Sequence, residues 1–306
     1  VMLQDEALKE GVQVFCNETW PRITGYSDKE LMNMSFFDLV HPKDRENSLT
    51  RHRRKISGKS MPGLFEITII RKDGTEVPVE TTSAYTTYQG KPANVAYIRD
   101  ITERKQQEKV REFTRSLLEI ANLGKQLNPT LKEFVRVIRN YAGCDAVGIR
   151  VLDSEGNIPY QAHKGFSREF YESESPLSIE LHHCWCINVI KGDTDPSLPY
   201  YTEDGSFYMN GTTAFLATVS EEEKGSLRNV CIEHGYQSVA LVPIRLGDKI
   251  LGLIHIADKR TDMVPLDLVN ALEDAAPQIG LSIRRLWAEQ ELAEEKGRLE
   301  VTLRST

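Results

Sequence analysis

Between Leu181 and Tyr236 the chain gathers His182, His183, Cys184, Cys186, Cys231 and His234, which are three of its five cysteines and three of its seven histidines. Thiolates and imidazoles are the ligands zinc prefers, four of them in a tetrahedron. Cys184, Cys186 and Cys231 with His182 make up such a set, with His183 as the other choice of fourth ligand. A Cys-x-Cys pair in an extended strand puts both thiols on one face about 6.5 Å apart, so a single metal demands a turn there. The same three thiols suit oxidant chemistry, with Cys184 or Cys186 pairing to Cys231. The plainer reading is of buried thiols and hydrogen-bonded histidines that serve packing. His255 joins Cys184, Cys186, Cys231 and His183 as a ligand or redox candidate, although Leu253 and Ala257 share its strand face and favour a satisfied, buried imidazole. Trp185, Tyr200, Tyr201, Phe207, Tyr208 and Phe215 crowd the same interval and argue against disorder. A long insert of this kind in a compact domain is expected to be a binding loop or lid.

The elements that must hold these residues fall into four stretches. At 306 residues the chain is long enough for two ordinary domains. A net charge of −7 argues against nucleic acid or an anionic membrane as partner. No apolar run approaches the roughly 20 residues a bilayer span needs. An odd, thinly spread set of five cysteines fits a reducing cytoplasm better than a disulfide framework. With Val1 at the start and a helical pattern running to Thr306, we expect a fragment of a longer protein.

Residues 1–104 open on Val12-Gln13-Val14-Phe15, a short strand with Val1–Gln4 as its partner. Gly25 ends a short helix, and Ser27 with Glu30 has capping-box spacing for the next. A basic helix (Arg45 to Lys55) precedes strands at Phe65–Arg71, Glu76–Thr82 and Asn94–Arg99, the first two joined through Lys72-Asp73-Gly74-Thr75. Thr102 is placed to cap the helix that leaves the sheet. Residues 105–127 carry Val110, Phe113, Leu117, Ile120, Gly124 and Leu127 on a heptad seam, read as a two-stranded coiled coil that Asn128-Pro129 stops. Residues 128–286 hold a helix, a buried strand at Ala146–Leu152, the insert at 172–236, a hairpin of Ser238–Arg245 and Ile250–Ala257, and a closing helix interrupted by Pro277. Ser220 with Glu223 repeats the capping-box spacing before the acidic run Glu221–Lys224. Residues 287–306 continue that helix with Leu292, Leu299 and Leu303 at heptad-compatible positions.

The first stretch resembles a PAS domain in Ile23-Thr24-Gly25-Tyr26, Phe37-Asp38-Leu39-Val40-His41-Pro42-Lys43-Asp44, Arg71-Lys72-Asp73-Gly74 and Asp100-Ile101-Thr102-Glu103-Arg104. The resemblance implies a five-stranded antiparallel sheet with helices over a pocket. The reactive cysteine of flavin-binding members is missing, Asn33-Met34-Ser35 standing nearby. The axial histidine of haem-binding members is replaced by Asn47 and Ser48, and His52, one turn on, reads as solvated. The third stretch is similar to a GAF domain in Cys144-Asp145-Ala146-Val147-Gly148-Ile149, Ser238-Val239-Ala240-Leu241-Val242-Pro243-Ile244 and Leu251-Gly252-Leu253-Ile254-His255-Ile256. That likeness implies a six-stranded antiparallel sheet. It also implies a place upstream of a histidine kinase or a diguanylate cyclase, and it adds haem held through a cysteine to zinc as a candidate cofactor.

The expected fold is therefore α+β: two antiparallel-sheet sensory domains, PAS then GAF, joined and followed by long coiled-coil helices. The expected function is an input module that senses a small-molecule ligand or a thiol change, pairs as a homodimer, and regulates a kinase or cyclase domain of the same chain. No catalytic motif stands in the sequence, so an enzymatic activity is expected of the parent protein. The rival from another class is the GAF-fold reductase of free methionine sulfoxide, which also uses three cysteines.

Overall fold

A computed structural model describes residues 2–3, 11–32, 34–56, 63–220 and 228–304. In chain order the first elements are β1 (Met2–Leu3), β2 (Val12–Gln13), α1 (Thr19–Thr24), α2 (Asp28–Leu31), α3 (Phe36–Leu39), α4 (Pro42–Ile56), β3 (Leu64–Ile70), β4 (Glu76–Tyr88), β5 (Lys91–Asp100) and α5 (Thr102–Leu123). There follow α6 (Leu127–Ala142), β6 (Ala146–Val151), β7 (Tyr160–Lys164), α7 (Arg168–Glu174), α8 (Trp185–Lys191), β8 (Phe207–Met209), α9 (Thr212–Thr218), α10 (Val230–Glu233), β9 (Ser238–Leu246), β10 (Lys249–Asp258) and α11 (Leu266–Arg304). The chain forms two compact units, 1–109 and 110–306.

In the first unit five antiparallel strands lie in the order β2-β1-β5-β4-β3. Trp20, Leu31, Phe36, Phe37, Leu39 and Val40 from the short helices pack on Ile67, Ile69, Val77 and Val79 of the sheet. The predicted capping box is present: the Ser27 backbone N–H donates to Glu30 Oε2 at 2.9 Å. At the start of α5 the cap is Asp100, whose Oδ1 accepts from both the N–H and the hydroxyl of Thr102. His52 corrects the sequence reading. It is buried, meets the Phe37 ring edge-on, and its Nδ1 lies 3.1 Å from Asn94 Nδ2. The charges of α4 hid this, because its buried residues Ser48 and His52, one turn apart, are both polar.

In the second unit the order is β7-β6-β10-β9-β8, five described strands where the resemblance implied six. β6 and β10 are buried on both faces, and their alternation separates two cores. Val147, Ile149 and Val151 with Ile254 and Ile256 face α5, α6 and α11. Ala146 with Leu253 and Ala257 faces the long excursion between β7 and β9. Pro129 does not stop a helix. It sits in the first turn of α6, where the missing N–H has no intrahelical partner to lose, and the break falls earlier, at residues 124–126.

Of the heptad seam expected to face a second copy, Val110 stays exposed while the rest of its apolar side chains are covered within the chain. Phe113 and Leu117 are buried in the core of the second unit, with Ile120 and Leu127 packed against it, and the Phe113 ring stacks on Tyr141 at 4.0 Å. An amphipathic stripe next to an open apolar sheet face finds its partner locally, so the seam's periodicity marked burial. In α11 the expected seam of Val269, Leu272, Ala276, Ile279, Ile283 and Leu286 is buried. The helix runs on as one element through Pro277, and Leu292 and Leu299 are exposed beyond it. The Leu303 side chain and the acidic run at Glu221–Lys224 lie outside the described residues.

Candidate functional site

The thiols meet on the insert side of the second sheet. Cys184 is extended (φ −156°, ψ 153°) and Cys186 is the second residue of α8. The Cys-x-Cys pair thus straddles a bend into a helix instead of lying along a strand. Cys231 comes from the single turn of α10. All three line one cavity of about 20 Å³ with Trp185, Phe207 and Met209. His255 reaches the group from β10, its Nε2 standing 3.7 Å from Cys231 Sγ. The structure therefore brings together Cys184, Cys186, Cys231 and His255. It leaves out His183, which is exposed, and His182, whose Nδ1 accepts the Ser178 backbone N–H at 2.9 Å.

Beneath the thiols lies a charged layer that sequence reasoning missed. Arg150 is fully buried on β6. Its Nη1 donates to the Ile158 carbonyl at 2.8 Å, and its Cζ lies 3.7 Å from the centroid of the Tyr160 ring. Tyr160 Oη is 2.7 Å from His255 Nδ1. Buried Glu174 accepts from Arg228 Nη2 at 2.8 Å, while Arg150 Nη2 stays 3.9 Å away. Arg150 Nε and Nη2 have no hydrogen-bond partner. The signal was present in the sequence: an arginine within the otherwise apolar run Ala146-Val147-Gly148-Ile149-Arg150-Val151 has no reason to be there unless the buried face is polar.

Two glycines make this packing possible. A Cβ on Gly148 would stand 2.5 Å from Tyr160 Cε1, and one on Gly252 would stand 2.1 Å from the Arg150 carbonyl oxygen. Only residues without a side chain let the Tyr160 ring and the β6 backbone come so close.

The electrostatics single out one thiol. The Cys186 thiol beside it holds the Cys184 thiol below its ordinary value, and the Arg150 cation acts in the same direction against burial. Cys186 is pushed up by Cys184 and by burial, and Cys231 by burial first. Burial and Arg150 keep His255 well below the usual imidazole value, so the ring is neutral. Cys144, remote from the cavity on the helix side, is pushed up to about 12 by burial and is chemically quiet.

Neither cofactor suggested by the sequence fits these residues. Among the described residues no group of three or more His, Cys, Asp or Glu is disposed to hold a metal ion. The cavity of about 20 Å³ falls far below the roughly 300 Å³ at which pockets for drug-sized ligands begin, so it has no room for a haem. The first unit offers more space, about 330 Å³ lined by Gln13, Cys16, Trp20, Ile23, Phe36 and Ile98. There Gln13 Oε1 accepts from Trp20 Nε1 at 2.7 Å, and the buried Gln13 Nε2 has no partner.

No described helix is long and apolar enough to cross a membrane. Among curated proteins, a methyl sulfide methyltransferase-associated sensor from Methanosarcina acetivorans is 31% identical over 119 residues. The match covers 39% of this chain and 12% of that relative, so the chain spans only a small part of its length. Among solved structures, the GAF domain from Acinetobacter phosphoenolpyruvate-protein phosphotransferase is 15% identical with a TM-score of 0.45, covering 60% of this chain and 97% of that one. Free methionine-R-sulfoxide reductase from Neisseria meningitidis, solved with its substrate, is 9% identical with a TM-score of 0.44, covering 59% and 91%. The family described as PAS fold matches residues 13–99. The GAF domain family matches residues 126–283, just over half of the 306, and the chain accordingly belongs to the GAF domain family, with a PAS fold ahead of it.

Proposed function

We propose that this PAS–GAF chain is the input segment of a larger cytoplasmic signalling protein, that the thiol centre of the GAF domain registers the signal, and that α11 passes it to a downstream histidine kinase. The observation that carries the reading is that the thiol centre and the outgoing helix share one sheet. Arg150 and His255 project from one face of β6 and β10, while their neighbours Ile149, Ile254 and Ile256 project from the other into the core that holds α11. α11 lies so close to β9 that a Cβ on Gly280 would stand 2.6 Å from the Arg245 carbonyl oxygen. Packed interiors do not deform smoothly, so a rearrangement among the thiols is felt across the sheet by the helix.

The exposed end of α11 supports pairing with a second copy. Leu292 and Leu299, seven residues apart, keep one line on an otherwise charged surface, the pattern of a two-stranded coil. The five free cysteines suit a reducing compartment. The cavity argues against a methionine sulfoxide reductase, because it cannot admit an amino acid. Hydrogen exchange along 280–304, compared between the reduced chain and the chain oxidised with one equivalent of hypochlorous acid, an oxidant small enough for the cavity, tests the reading. Protection of this stretch should change with thiol state; identical exchange in the two states would refute it.

A further inference from the structure

We propose that Cys184 reacts with a small hydroperoxide, that Arg150 supplies the countercharge for its thiolate, and that Cys231 then closes a disulfide with it. The proposal rests on the reading of the thiol centre as the place where the signal is registered, and it names the signal's chemical class. Its first support is the charge balance. Arg150 and Arg228 bring two cations to one carboxylate, Glu174, and Glu174 is hydrogen-bonded to Arg228. A fully buried guanidinium with two nitrogens left over is a costly arrangement unless an anion joins it. Cys184 is the ionisable group suited to that role: it lines the cavity with the other two thiols, and its own thiol is stabilised as the anion first by the Cys186 thiol and to a smaller extent by Arg150. Arginine beside a cysteine is a recurrent setting of reactive thiols.

The cavity selects the reagent. A volume of about 20 Å³ admits one molecule near the size of water, which includes hydrogen peroxide and excludes bulky oxidants. His255 selects the second thiol, since its neutral ring stands 3.7 Å from Cys231 Sγ and can take that proton through Nε2. Cys186 has no such base, and a bridge from it to Cys184 would close a ring over one intervening residue against the preferred geometry of disulfides.

In the first step the Cys184 thiolate attacks a peroxide oxygen. An S–O bond forms, the O–O bond breaks, and the departing hydroxide combines with the proton that Cys184 had released, giving a sulfenic acid and water. In the second, Cys231 gives its proton to His255 and attacks the Cys184 sulfur. The S–S bond forms, the S–O bond breaks, and hydroxide leaves as water with the proton from His255. Two thiols are oxidised to one disulfide and one peroxide is reduced to two waters.

The test treats the reduced 306-residue chain with one equivalent of hydrogen peroxide and maps the thiols by peptide mass spectrometry without reduction. Five free thiols should fall to three, with one peptide pair joining Cys184 to Cys231. Cys231→Ser should leave a sulfenic acid at Cys184, read as one added oxygen on its peptide, and Cys184→Ser should abolish fast peroxide consumption. Arg150→Lys should retain most of the rate, whereas Arg150→Met should lose tenfold or more. Circular dichroism confirms that each variant is folded, and the two serine variants carry the test if either Arg150 variant is not. Consumption no faster than that of free cysteine, a Cys184–Cys186 bridge, or an unchanged rate in Cys184→Ser would overturn the proposal. If the Cys184–Cys231 bridge forms while exchange in α11 stays unchanged, the chemistry stands and the signalling role fails. If hypochlorous acid changes α11 while peroxide makes no bridge, the role stands and this proposal fails.

Discussion

The Gly148→Ala substitution tests whether the thiol centre is built as described. An added methyl would lie 2.5 and 2.6 Å from two carbons of the Tyr160 ring and 3.2 Å from Phe166. Carbon atoms rest about 3.5–4.0 Å apart, so the ring must withdraw by roughly 1 Å. It is not free to do so, being bonded to His255 at 2.7 Å and lying under Arg150. Overpacking of this kind costs about 1–3 kcal/mol, and loss of the buried hydrogen bond adds about 1 kcal/mol. Replacing glycine by alanine in a strand returns at most about 1 kcal/mol, so the clash wins. The net destabilisation of the second unit should be about 1–3 kcal/mol. Urea unfolding followed at Trp185 and Trp287 measures it. Tyr160→Leu in the same chain should recover part of the loss, because the branched side chain no longer occupies the methyl's space. A Gly148→Ala protein within about 0.5 kcal/mol of the parent would refute this packing.

Further outcomes are expected elsewhere. His255 stays neutral when folded but takes a proton when unfolded below its ordinary value of 6.5. Its burial therefore leaves stability untouched above that pH and removes about 1.4 kcal/mol for each unit below it, down to the folded value. His255→Gln should flatten the slope of stability against pH between about pH 5 and 6.5, with urea midpoints as the measurement. At pH 7, Arg150→Met should slow peroxide oxidation of Cys184 about tenfold for each unit by which its thiol rises, read by mass spectrometry. Phe113→Ala should destabilise the second unit by about 3–5 kcal/mol in calorimetry, as a residue buried in its own chain does and a dimer contact seen only at high concentration does not. Leu292→Asp with Leu299→Asp should convert a dimer to a monomer in light scattering while the calorimetric transition of the second unit stays put.

How much could be read beforehand depended on whether a signal was local. Hairpins such as that at Lys72-Asp73-Gly74-Thr75, the capping box at Ser27, and the alternation that puts His255 with Leu253 and Ala257 are set by neighbours in the chain, and they were legible. The convergence of Cys184, Cys186 and Cys231 was legible as composition, but His182 and His183 were indistinguishable from participants by spacing alone. The seam of Phe113 and Leu117 showed that α5 buries one face without showing against what. Arg150, Glu174 and Arg228 meet only through the tertiary fold, and no motif announces such a meeting. His52 was not legible, because the charges along α4 say nothing about the face it turns inward.

The uninterrupted length of α11 gives the molecule a lever. From Leu286, the last buried residue of its seam, to Arg304 the rod extends by about 18 residues, or roughly 27 Å at 1.5 Å per residue. Tilting it by about 10° about that point would swing its tip sideways through roughly 5 Å. A displacement at the sheet too slight to unseat a single core side chain would thus reach Arg304 as a sideways shift of several ångströms.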